Sequence, residues 1–197
     1  MRAMAKDTAA FLRRHWPLVV IAAMLGLWWV DTFRAGSALR ARVGNAAPEF
    51  SLRLVARAKD SDGSGVAAAP LPGERLTLSS LKGEVVVLDF WASWCGPCAK
   101  SAPELNRAAA TFAPGDRVRF LGINIEGDLS DQGVRAAHGR LGYAFDSLHD
   151  EGGEAQRLFG IQSLPSLVVI DRAGAVRHVE VGMPASEDLV AEIRKHL

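Results

Sequence analysis

Cys95 and Cys98 are the only two cysteines in a chain of 197 residues, and they stand two residues apart in WASWCGPCAK (91–100). Thiols so spaced can be a staple, a metal clamp or a reagent. As a staple, a Cys-x-x-Cys bridge closes a loop of about four residues and contributes only about 2 kcal/mol in the chain-entropy model, against roughly 3 for a 15-residue loop. As the sole crosslink of a domain it would be badly placed. A closed zinc site needs four ligands. None of His15, His138, His149, His178 and His196 supplies a second pair at matching spacing. Copper carriage by the two thiolates alone stays open.

The reagent reading has local physics behind it. EVVVLDFW (84–91) is a nearly unbroken apolar run, the pattern of a strand buried on both faces. A helix follows from Gly96, so Cys95 falls at a helix N-terminus, where unpaired amides and the helix dipole favour an anion. A thiolate there has a lowered pKa, and the thiolate is the nucleophile. Pro97 fits a first turn, where no donor is required. Cys98, about one turn on, can resolve a mixed disulfide. Trp91 and Trp94 are expected to offer flat apolar surface to a protein substrate. Asp89 is a carboxyl inside an apolar strand. It either faces water or is a buried acid of raised pKa that takes and gives the proton of Cys98. In SLPSLVVID (163–171), Pro165 stands where a strand may begin. A cis Leu164–Pro165 bond would present the Leu164 backbone to an extended substrate.

The elements that must position these residues follow from pattern. FSLRLV (50–55) reads as a short strand, 56–75 as a long loop or hairpin, and 76–83 as a short strand and turn. Gly96 to Phe112 reads as a helix with Leu105, Ala108, Ala109 and Phe112 on one stripe and a kink at Pro103. RVRFLGINI (117–125) is the next buried strand, 131–141 and 153–159 are helical, and 166–171 and 175–181 form a hairpin around Arg172-Ala173-Gly174. A last helix spans 186–196, with Ser186 as its cap. The order β-β-β-α-β-α-(α)-β-β-α implies an α/β layered domain with a parallel centre and an added antiparallel hairpin. Glu126 sits where a strand end approaches the site. His138, His149 and His178 read as surface or loop residues, and Asp128, Asp131, Asp150 and Glu151 as solvated loop charge.

The N-terminal region differs in kind. Arg2, Lys6, Arg13 and Arg14, against Asp7, precede PLVVIAAMLGLWWV (17–30), which carries no charge. From His15 to Phe33 a helix of about 19 residues would reach roughly 28 Å, just enough for a hydrocarbon core of about 30 Å. Trp16 at one end and Trp28 and Trp29 at the other suit aromatic belts. An uncleaved signal anchor, a signal peptide cut near AGSA (35–38) and a buried core helix are the competing readings. On the anchor reading residues 1–33 form a cytoplasmic tip and transmembrane helix, 34–46 a linker, and 47–197 a domain outside the membrane. The formal net charge of +1 writes no attraction to nucleic acid into the composition.

VVLDFWASWCGPC resembles the active-site strand and loop of thioredoxins, Pro103 falls at their helix kink, and Leu164-Pro165-Ser166 is similar to their cis-proline element. APEFSL (47–52), SAPEL (101–105) and LPSLVVIDRAGAVRHVEVG (164–182) narrow the resemblance to the membrane-anchored TlpA/ResA/DsbE group, over roughly residues 44–197. The resemblance implies a thioredoxin-like three-layer fold with a mixed sheet, an N-terminal β extension and one transmembrane helix. It implies Cys95 as attacking thiol, Cys98 as resolving thiol, Asp89 as buried acid and Pro165 as cis-proline, with Trp94, Gly96, Pro97 and Leu164 meeting substrate. No cofactor beyond the dithiol is expected. The implied protein is a periplasmic reductase of protein disulfides in the inner membrane, re-reduced by a membrane thiol-electron donor of the DsbD/CcdA type, with cytochrome c maturation as one destination. An oxidant or isomerase of the same fold, or a tethered binding module for copper or thiol-bearing apoproteins, are the alternatives.

Overall fold

The computed structural model describes residues 43–57 and 72–197. The apolar segment 15–33, most of the linker 34–46 and the bulk of the loop 56–75 lie outside the described residues. Among the described residues no helix is long and apolar enough to cross a membrane.

The elements are β1 (Ser51–Ala56), β2 (Arg75–Thr77), β3 (Val85–Trp91), α1 (Gly96–Ala110), β4 (Val118–Asn124), α2 (Asp131–Leu141), β5 (Asp146–His149), α3 (Glu154–Phe159), β6 (Ser166–Ile170), β7 (Val176–Val181) and α4 (Ser186–Arg194). They build one mixed sheet in the order β2-β1-β5-β4-β3-β6-β7. Its centre, β3, β4 and β5, is parallel. β6 and β7 extend it antiparallel on one side, and β1 and β2 on the other. Gly44 and Asn45 already exchange backbone bonds with Val176 of β7, so the end of the expected linker belongs to the domain.

Strand β3 is buried on both faces because helices cover both. The two-residue period splits its side chains. Val85, Val87 and Trp91 join the core that α1, α2 and α4 bury, with Cys98, Ala102, Leu105, Val134 and Ile193. On the opposite face Phe90 meets Phe159 of α3 at 5.8 Å between ring centroids, and Phe159 meets Phe50 at 6.2 Å. By the same alternation Asp89 faces the α1 side.

Strand β5 is absent from the sequence reading. Its residues, Asp146-Ser147-Leu148-His149, are three-quarters polar, yet all four are buried. Their polar groups are satisfied inside: Trp91 Nε1 donates to Ser147 Oγ at 3.0 Å, and the His149 ring nitrogens lie 2.9 Å from the Glu126 carbonyl and 2.7 Å from Asp131 Oδ1. A strand whose polar groups pair internally carries no apolar period to read. β5 is also the rail on which β1 docks, from Arg53 opposite His149 to Ala56 opposite Ser147.

Other expectations are corrected by the same principle. His138 and His149 are buried, not at the surface. Asp150 is fully buried, and its carboxylate accepts the amides of Ala155 and Gln156 in the first turn of α3. Residues 78–81 form a short 3-10 turn after β2. The cap of α4 is Ala185. Ser186 is its first residue, and the Ser186 amide donates to Glu104 of α1 at 3.2 Å, so a carboxylate from another helix does the capping.

Candidate active site

At the top of β3 the chain leaves the sheet at Trp91 and re-enters regular structure at Gly96. The turn between is fixed at several points. The Ile125 amide donates to the Trp91 carbonyl, and the Cys95 amide to the Ala92 carbonyl at 3.1 Å. Ser93 donates twice to Glu126, from its amide at 2.5 Å and from its hydroxyl at 2.8 Å. Asn124 Nδ2 donates to the same carboxylate at 3.0 Å. Glu126 is buried. It is thus the acceptor that holds the loop before Cys95 onto the end of β4.

Cys95 is the N-cap of α1, and its sulfur accepts the Cys98 amide at 3.1 Å. Pro97 removes one first-turn donor, so the turn leaves few amides unpaired. The two sulfurs form a disulfide with Cα atoms 5.3 Å apart. Cys98 is fully buried; Cys95, itself only 4% exposed, lies on the wall of an open groove of about 340 Å³. Trp94, Gly96, Pro97 and Leu164 line that groove as well, with Ile125 and Ile161 as apolar walls and Gln156, Gln162 and Ser163 as its polar groups. Among the described residues no charged side chain lines it. Trp94 is 70% exposed. Trp91, expected beside it as substrate surface, is fully buried and bonded to Ser147, because its place on β3 turns it inward.

The Leu164–Pro165 peptide is cis. Pro165 is buried behind the groove, and its carbonyl accepts the Gly182 amide at 2.9 Å. Leu164, one residue nearer the groove, is half-buried.

Asp89 lies below α1 and is 2% exposed. Burial pushes its carboxyl up from 3.8 to about 7, and a hydrogen bond from Tyr143 works against the rise. The Tyr143 hydroxyl donates to Asp89 Oδ2 at 2.9 Å. Burial first, and then the Asp89 charge, raise the Tyr143 pKa, so the phenol stays a donor. The sequence reading missed Tyr143, although it is the single tyrosine of the chain. It also missed Ser147 and the groove residues Gln156 and Ile161. Among the described residues no cluster of His, Cys, Asp or Glu is arranged to hold a metal ion.

A parallel-centred sheet with a dithiol at the N-terminus of the helix after its central strand, and a cis-proline opposite, defines a thioredoxin-like thiol–disulfide oxidoreductase. The chain belongs to the Redoxin family, whose profile matches residues 42–195. It is similar to the thiol-disulfide oxidoreductase ResA of Geobacillus kaustophilus, with 27% identity over 195 residues, 98% of this chain and 97% of the relative. The thioredoxin-like protein YneN of Bacillus subtilis is 26% identical over 147 residues, 74% of this chain and 75% of the relative. Among solved structures, a Chlorobium tepidum chain assigned as thiol:disulfide interchange protein DsbE superposes with a TM-score of 0.62 at 28% identity, over 78% of this chain and 96% of that one.

Proposed function

We propose that the protein is a membrane-tethered reductase of protein disulfides, working on the periplasmic side of the inner membrane. The observation that carries the dithiol chemistry is the unequal placement of the two sulfurs: Cys95 faces the groove and Cys98 is fully buried behind it. In the reduced protein the Cys98 amide donates to the Cys95 thiolate, as it now donates to that sulfur. The thiolate attacks one sulfur of a substrate disulfide laid along the groove. The substrate S–S bond breaks, a Cys95–substrate disulfide forms, and the departing sulfur takes a proton. Cys98 then gives its proton to Asp89 and attacks the Cys95 sulfur. The second substrate sulfur leaves and takes up the proton that Asp89 received, and the Cys95–Cys98 disulfide remains. Two electrons have passed from the dithiol to the substrate. An electron donor in the membrane, of the DsbD/CcdA type, restores the dithiol, because that compartment is oxidising.

The tether reading rests on the uncharged segment 17–30 with its flanking tryptophans. The reducing direction rests on the Gly96-Pro97 pair between the cysteines, the pair that thioredoxin carries. Cytochrome c maturation is the destination that the TlpA/ResA/DsbE resemblance offers.

Cys98→Ser, expressed as the full chain, tests the reading. It should accumulate mixed disulfides through Cys95 that vanish when Cys95 is also replaced, and mass spectrometry of the trapped partners names the substrates. A metal carrier would trap nothing. A reduction potential near about −120 mV, that of a strong oxidant, would reverse the assigned direction. Digestion of residues 45–197 by protease added to spheroplasts is the result expected of the topology; protection would overturn it.

A further inference from the structure

We propose that Tyr143 is a positioning residue for the dithiol reaction: its phenol holds the Asp89 carboxylate and fixes the pH at which Asp89 exchanges a proton with Cys98. The inference rests on the reading of Asp89 as the proton partner of Cys98.

The geometry is a buried pair. The phenol donates to Asp89 Oδ2 at 2.9 Å, and the two residues are 5% and 2% exposed. The phenol cannot swing away. Its ring packs on Trp91 and Phe145 with centroids 5.2 Å from each, and stacks on His138 at 5.6 Å. The backbone around it is fixed as tightly. Helix α2 ends at Gly142, which takes the left-handed conformation (φ 76°) that glycine adopts without strain, and the Tyr143 amide returns to the His138 carbonyl. Asn106 of α1 brackets the residue on both sides: its Nδ2 donates to the Gly142 carbonyl at 2.7 Å, and its Oδ1 accepts the Ala144 amide at 2.9 Å. One helix therefore carries Cys98 and pins the segment that carries Tyr143.

Among the described residues no charged group moves the Asp89 carboxyl; burial and the Tyr143 bond do. The neighbour of Asp89 on β4 is Gly122 and on β6 is Leu167, and neither titrates. From α1, Cys98 joins Val87 and Trp91 in the core on this face of β3. From α2 comes His138, stacked on the Tyr143 ring, whose Nε2 lies 2.8 Å from the Phe145 carbonyl and whose pKa burial lowers. With no cation at hand, a neutral donor is what offsets the burial of the carboxylate. A phenol suits that task because its own proton does not leave in the working pH range.

Tyr143→Phe keeps the ring and deletes the donor. With the Asp89 carboxyl carbon followed by NMR in the oxidised full chain, its titration midpoint should move upward by roughly one to two pH units, the equivalent of one hydrogen bond to a charged group. The pH profile of thiol–disulfide exchange should move by the same amount, and Asp89→Asn should abolish that difference. Because Tyr143 is the only tyrosine, fluorotyrosine incorporated throughout the chain probes this position alone and leaves the fold intact. Its more acidic phenol should move both midpoints downward. An Asp89 midpoint that neither replacement moves overturns the proposal. So does an exchange profile whose shift persists in Asp89→Asn. If the NMR midpoint moves and the exchange profile does not, the bond is real and the role of Asp89 in the reaction is what has failed.

Discussion

Ser93 gives both its amide and its hydroxyl to the carboxylate of Glu126, a residue 33 positions along the chain. The two bonds tie the turn before Cys95 to the end of β4, so the conformation of the reactive loop depends on an acid outside the CGPC sequence. The carbonyl of Glu126 lies against His149, and His149 against Asp131, which also meets Arg53 of β1 at 2.8 Å. The reactive loop is in this way coupled to the N-terminal extension of the sheet.

Glu126→Gln keeps one oxygen for the Ser93 and Asn124 N–H donors and sets its NH2 against the Ser93 hydroxyl, so the bonds lose their charge assistance. Loss of a charge-assisted hydrogen bond of this kind costs about 1.5–3 kcal/mol. In a domain of this size that lowers the melting temperature by roughly 3–12 °C. Ser93→Ala should cost less, since the amide bond survives. The double variant should fall short of the sum by about 0.5 kcal/mol or more. Additive losses in urea unfolding would show that the two residues do not act as a pair.

Asp89 gives stability a pH dependence of known sign. Its folded pKa, about 7, lies above its ordinary 3.8. Between those values the native protein binds a proton that the unfolded chain does not, so stability falls as pH rises from about 4 to about 7 and is level above. The shift corresponds to something on the order of 4 kcal/mol. Asp89→Asn, which keeps an oxygen for the Tyr143 phenol, should be the more stable protein at pH 8 by an amount of that order and by only about 1 kcal/mol at pH 4.5. Denaturant unfolding of the oxidised protein at the two pH values checks this, and a gap that does not change with pH would refute it.

What could be read from the residues, and what could not, divides along the same physical line. Val85 to Trp91 announced a central strand because burial on both faces leaves an unbroken apolar run. The loop after it was legible because two thiols, a glycine and a proline at that spacing fit one geometry. The β6–β7 hairpin was legible from Gly174, which has φ 84° in its turn. β5 was illegible because Ser147 and His149 are polar residues whose partners, Trp91 and Glu126, lie far off in sequence. His149 and Asp150 looked solvated for the same reason: sequence shows that a side chain is polar, not that the fold has paired it. Tyr143 was lost in a connection of unremarkable composition, and only the topology that lays that connection beside β3 brings it to Asp89.

Gly122 marks a place where the fold leaves no room. A Cβ there would lie 2.3 Å from Ser147 Oγ and 2.9 Å from Trp91 Nε1, between the two partners of a buried hydrogen bond. Gly122→Ala should therefore destabilise by about 1–3 kcal/mol through overpacking, with a further contribution of about 1–3 from the indole N–H left unsatisfied. Ser147→Ala removes the nearer clash, so the double variant Gly122→Ala/Ser147→Ala should be more stable than the sum of the single losses implies. Strict additivity in equilibrium unfolding would mean that the glycine is tolerant and that the clash relaxes elsewhere.

Trp94 separates docking from chemistry. It is the most exposed large apolar side chain among the described residues and stands on the wall of the groove that holds Cys95. Exposed side chains contribute little to folding, so Trp94→Ala should leave stability within about 0.5 kcal/mol. A protein substrate covering the groove would bury that indole, and large aromatic side chains dominate contacts of this kind. Loss of such a contact, at about 1–2 kcal/mol, should raise KM for a protein disulfide roughly 5- to 30-fold, with kcat little changed. A small disulfide reagent that touches only the sulfur should be reduced at the wild-type rate. Equal loss of rate with both substrates would place Trp94 in the chemistry of Cys95 rather than in the binding of the polypeptide around it.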